Sequence, residues 1–122
     1  MITEDYVSFE TAKLLKEKGF NEPCLICYTY DGKLGNYGQY NSYKNSEVFA
    51  LTAPTIQMTI KWLREVHNIC ISVDVKIGGG KYYVCISGTE NGLSHDVLED
   101  EVWNTFEEAC EESIRYCLEN LI

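Results

Sequence analysis

Residues 69–77, ICISVDVKI, alternate without a break: Ile69, Ile71, Val73, Val75 and Ile77 fall on one side of an extended chain, and Cys70, Ser72, Asp74 and Lys76 on the other. A period of two does not fit a helix, so the stretch is a strand with one apolar face and one wet face. Gly78-Gly79-Gly80 follows, and then KYYVCIS (81–87), rich in β-branched and aromatic residues. The pair reads as a hairpin. A two-residue loop at Gly79-Gly80 sets Ile77 opposite Tyr82, Val75 opposite Val84 and Val73 opposite Ile86, which places both apolar sets on one face. That face needs a cover, and the rest of the chain supplies helical patterns to provide it.

The first helix is expected over 8–19, from the cap residue Ser8 through FETAKLLKEK to Gly19, with Thr11, Ala12, Leu14 and Leu15 inward and Lys13 and Lys16 in solvent. Pro23 ends that pattern, and CLICYTY (24–30), bounded by Asp31-Gly32, is a strand. Residues 32–46 show no period and read as a long loop or irregular hairpin, after which EVFAL (47–51) is a short strand pairing back on 24–30. A second helix runs from Pro54 to His67. Its apolar residues, among them Met58 and Trp62, sweep about 200° of its circumference, roughly twice what an ordinary surface helix needs. Either two layers sandwich it, or its Met58/Trp62 edge is exposed for a partner.

Residues 88–104 are turn-rich and then acidic, with Val97, Leu98, Val102 and Trp103 as anchors onto the core. Thr105 and Glu108 form a capping box for a last helix through 106–122, apolar on one stripe and carrying Glu108, Glu111, Glu112 and Glu119 around Arg115 on the other. The expectation is one globular domain over 1–122 of α+β class: an antiparallel sheet of three to four strands with about three helices, in the order α-β-(β)-α-β-β-α.

Charge narrows the partners. Lys and Arg number 10 against 19 Asp and Glu, a formal net charge of -9 in 122 residues, so no direct binding to nucleic acid or to an anionic membrane is expected. No apolar run reaches the roughly 18 residues of a membrane span, and MITEDYVSFE lacks the basic start of a signal peptide, so a cytoplasmic protein is expected. Its six cysteines are then thiols packed in apolar segments.

No coherent catalytic set emerges. Cys24-x-x-Cys27 has a metal or redox spacing, but in a strand residues three apart face opposite ways, and His67 and Cys70 are a poor second pair. Ser94-His95-Asp96 holds the residue types of a hydrolase triad, yet contiguous side chains cannot converge as one, and a polar turn is expected. His67 reads as a cation closing the second helix, and the glycine run, followed by a strand, is no phosphate loop. No cofactor and no metal is implied.

Two surfaces remain. Tyr37, Tyr40 and Tyr43 either pack over the sheet edge or contact a ligand or partner. Between Glu99 and Glu112 seven acids occur in fourteen residues with no base, either a solvated face or one that imitates the phosphate spacing of DNA.

Three blocks, DYVSFETAKLLKEKGF, APTIQMTIKWLREVHNICISV and FEEACEESIRYCLENLI, together 54 of the 122 residues, resemble a group of small proteins without assigned function encoded by Bacteroides-type gut bacteria and their phages or integrated elements. The resemblance implies a cytosolic α+β protein of mobile-element origin and no particular activity. The resulting expectation is a non-enzymatic accessory or interaction protein whose partner is another protein or a second copy of the chain. The alternative is a small-ligand or enzymatic module in which Tyr40 or Tyr43 converges with Cys27, His67 or Asp74.

Overall fold

In the computed structural model, which describes residues 1–36, 42–47, 51–89, 94–95, 98 and 101–122, the chain is an α+β protein with three helices and two antiparallel sheets. It divides into two compact units, Met1–Thr55 and Ile56–Ile122.

The first unit is built around helix α1 (Phe9–Glu17). Ser8 is extended, and its Oγ accepts the Thr11 N–H at 3.2 Å, satisfying a donor that the first helical turn leaves open. Gly19 takes the left-handed conformation at φ 88, which reverses the chain so that the buried Phe20 can donate its N–H to the Leu15 carbonyl. Thr11, Ala12 and Leu15 face inward.

Helix α1 lies against strand β3 of a three-stranded sheet ordered β2-β1-β3, made of β1 (Cys27–Tyr28), β2 (Leu34–Gly35) and β3 (Leu51–Thr52). The expected strand over 24–30 is thus much shorter. Cys24 instead exchanges backbone hydrogen bonds with Tyr43, both at 2.8 Å. Of the return strand expected over 47–51, Glu47 lies in a 3-10 turn, residues 48–50 lie outside the described residues, and Leu51 pairs with β1 as part of Leu51–Thr52; part of the expected loop forms β2. Asn45, in a 3-10 turn (Asn45–Glu47), donates to the Phe20 carbonyl and accepts the Thr52 N–H at 3.0 Å, so one buried amide holds two segments together. The Tyr28 hydroxyl donates to the Val7 carbonyl, and the Tyr28 ring meets Phe9 edge to face at 5.5 Å.

The second unit begins with helix α2 (Ile56–His67). It starts two residues later than expected because Pro54 and Thr55 serve the first unit, where Val7 donates to the Pro54 carbonyl and Tyr6 bridges Thr55. Asn68, left-handed at φ 57, turns the chain directly into β4 (Ile69–Val75), which pairs with β5 (Tyr82–Gly88). A two-residue strand, β6 (Ser94–His95), pairs along the other edge of β5, where a polar turn was expected. Helix α3 (Phe106–Asn120) packs on β4 and β5, and α2 packs on β4 and α3.

The hairpin register differs from expectation by two residues. Val75 pairs with Tyr82, Val73 with Val84 and Ile71 with Ile86. The loop between Lys76 and Lys81 is longer than a two-residue turn, with Gly78 and Gly80 both at positive φ. Ile77 is consequently fully exposed and Val75 is 55% exposed, while Ile69, Ile71, Val84 and Ile86 form the buried face. Among the described residues, no helix is long and apolar enough to cross a membrane.

Candidate functional site

Helix α3 is fixed from both ends and from below. Thr105 is extended, and its Oγ accepts the Glu108 N–H at 3.1 Å, while Glu107 and Glu108 put negative charge at the positive end of the helix. Ala109, Cys110, Ser113, Ile114, Cys117 and Leu118 are buried without measurable exposure, and the buried Ser113 hydroxyl is satisfied by the Ala109 and Cys110 carbonyls. The buried stripe forces the other stripe outward. Glu107, Glu108, Glu112 and Glu119 are exposed, and Glu111, Arg115 and Tyr116 are half-buried.

A cleft of about 240 Å³ opens beside this face, lined by Leu98, Glu101, Trp103, Glu112, Arg115, Tyr116 and Glu119. Helical spacing explains half of it, since residues 112, 115, 116 and 119 share one side of α3. The facing wall is held by strand pairing: Trp103 and Tyr82 exchange backbone hydrogen bonds at 2.9 Å in both directions, and Glu101 donates its N–H to the Leu98 carbonyl. Tyr82 in turn meets Phe106 edge to face at 6.1 Å.

Among the described residues the cleft carries four charges, those of Glu101, Glu112, Arg115 and Glu119. Arg115 reaches Glu119 at 3.4 Å and lies one turn from Glu112, so the described lining, three carboxylates against one guanidinium, stays net negative. The Arg115 Nε is buried and makes no hydrogen bond. Among the described residues the lining holds carboxylates, a guanidinium, an indole and a phenol, and no thiol, imidazole or aliphatic hydroxyl. Such a set suits binding of a cation against aromatic walls better than nucleophilic chemistry.

The remaining candidates are scattered. Met58 is 38% exposed on α2, but Trp62 is 6% exposed, so the apolar edge proposed for a partner is interrupted at its centre. Trp62 meets His67 edge to face at 4.6 Å. His67 closes α2 as expected, burial pushes its pKa down, and the chain turns at the left-handed Asn68 that follows. Tyr43 is half-buried and tied to Cys24 through its backbone, while Tyr37 and Tyr40 lie outside the described residues. So do Glu99, Asp100, Asp96 and Val97. Val102 is 42% exposed and is no core anchor.

All six cysteines are thiols. Cys24, Cys27, Cys110 and Cys117 are buried as expected, but Cys85 is exposed and Cys70 half-buried, because both belong to the wet face of the β4–β5 hairpin. Burial raises the Cys24 pKa to about 11, raises Cys27, and raises Cys117 to about 12. Thiols so shifted are weak nucleophiles at neutral pH. Among the described residues no group of His, Cys, Asp and Glu is arranged to hold a metal ion.

Glu112 and Glu119 were legible as surface acids, whereas Trp103, Glu101, Tyr116 and Arg115 were not legible as one site. Their convergence depends on the Tyr82–Trp103 bridge, which no local spacing encodes. Compared with known proteins, the chain matches no family model, no curated protein and no solved structure.

Proposed function

We propose that this chain is a non-enzymatic interaction protein that docks through the outward face of α3 onto a positively charged surface of another protein. The observation that carries the reading is the cleft beside α3, where the described lining sets three carboxylates against one guanidinium, itself held by Glu119, beside an indole and a phenol. Glu108, Glu111, Glu112 and Glu119 extend the same negative face along the helix. A formal charge of -9 adds long-range attraction toward a basic partner and speeds encounter at low salt. Aromatic side chains beside charge are the residue types from which interface anchors are drawn. The resemblance of three sequence blocks to proteins of bacterial mobile elements supports an accessory role in the cytoplasm.

The test is affinity capture from lysate of the source cells with the wild-type chain and with a variant carrying Glu108→Gln, Glu111→Gln, Glu112→Gln and Glu119→Gln, the bound proteins being quantified by mass spectrometry. The expected result is a protein with a basic surface captured by the wild type, released by raised salt and lost with the variant. Equal capture by both chains would refute the reading.

A further inference from the structure

Resting on that reading, we infer that the cleft between α3 and Trp103 receives one basic side chain of the partner, an arginine or a lysine entering between Trp103 and Tyr116. Size is the first ground. At about 240 Å³ the cleft is below the roughly 300–1,000 Å³ of pockets that enclose whole small molecules, and it suits a single long side chain.

Charge is the second ground, and it fixes the sign of the occupant. An anion attracted to Arg115 meets three carboxylates, one of which, Glu119, already holds the guanidinium at 3.4 Å. A cation meets a described lining in which three carboxylates outnumber one guanidinium, with Glu101 and Glu112 outside the Arg115–Glu119 pair. Aromatic composition is the third ground. Indole and phenol faces attract a cation through their quadrupoles, and Leu98 gives the aliphatic stem an apolar surface to cover. A guanidinium does both tasks best, since it stacks on a ring while forking to a carboxylate.

The sequence alone offered the acids of α3 as one candidate surface beside the Met58/Trp62 edge and the tyrosines. The cleft adds Glu101 and Trp103, which lie outside that helix, and makes them the determinants of a specific contact in place of a diffuse charge effect.

The experiment is a two-dimensional proton–nitrogen NMR titration of the full chain with the peptide acetyl-Ser-Gly-Arg-Gly-Ser-amide, its lysine analogue, and its citrulline analogue, which keeps the shape and loses the charge. The expected result is saturable shifts of the Trp103 indole and of the amides around Glu112 to Glu119, with the Trp62 indole unmoved. Affinity for the citrulline peptide should fall at least about tenfold, and Glu101→Gln with Glu112→Gln should weaken the arginine peptide by a similar factor. Both substitutions are at exposed positions, so the fold is retained. Equal binding of the citrulline peptide, unsaturable shifts spread over all carboxylates, or an unaffected double variant would overturn the inference. If proteins are still captured and lost with the four-glutamine variant, only the cleft assignment falls; if nothing is captured, the interaction reading itself falls.

Discussion

Burial grades the six cysteines, with Cys70 half-buried between the two extremes. Cys85 stands exposed on the hairpin, whereas Cys24, Cys27, Cys110 and Cys117 are enclosed, and desolvation raises the pKa of Cys24 to about 11 and of Cys117 to about 12. A disulfide reagent at pH 8 should therefore modify the folded chain fastest at Cys85. Replacing Cys85 by serine should remove the fast phase, and survival of that phase would contradict the burial pattern.

The same shifts set a pH window for stability. Raised thiol pKa values contribute stability that is whole below the ordinary thiol range, about 8.5, and is lost as pH rises toward the folded values. His67 acts in the opposite direction: its lowered pKa contributes stability that is whole above about 6.5 and is lost as pH falls. Denaturant midpoints measured from pH 5 to 10 should peak between those limits, and His67→Gln should flatten the fall between about pH 6.5 and 5. An unchanged acid limb in that variant would show that His67 is not the responsible group.

At the scale of elements, the β4–β5 hairpin separates what patterning specifies from what it leaves open. Alternation of Ile69, Ile71 and Val73 identifies the buried face, and that face is the one observed. Register is another matter, because a slip of two residues keeps every side chain on its face. The choice is made by the loop, where left-handed Gly78 and Gly80 lengthen the turn and leave Val75 beyond the core. Val84→Asp should then cost several kcal/mol, as burying an unpaired charge does, while Val75→Asp should stay within about 1 kcal/mol of wild type. Thermal melts of the two variants decide between the registers, and the reverse order would restore the shorter loop.

Helices were more legible than strands. Ser8 and Thr105 each accept an amide three residues ahead, so the starts of α1 and α3 are written in local chemistry. The two-residue strands β1, β2, β3 and β6 carry too few residues to show a period, and β3 in addition depends on a partner distant in sequence, Cys27 with Thr52.

For the whole molecule, the wide apolar arc of α2 was the sequence argument for a second copy of the chain. Trp62 is 6% exposed, so its large ring spends its area inside the protomer, where it meets His67. Trp62→Ala should accordingly lower stability by about 3–5 kcal/mol, as loss of a buried indole does. Light scattering should give one protomer mass for the wild-type chain at all concentrations. A concentration-dependent mass that Trp62→Ala abolishes would return that residue to an interface.

The acidic run was visible in composition, but the cleft was not, since Trp103 and Glu101 reach α3 only through the pairing of residue 103 with Tyr82. The central claim is that the α3 face, and not the outer edge of α2, meets the partner. Site-specific photocrosslinking in the source cells tests it most directly, with a benzophenone side chain placed at Glu112 in one variant and at Met58 in another, both exposed positions. A discrete crosslinked product is expected from position 112 and none from position 58. A product from Met58 alone, or from neither, would contradict it.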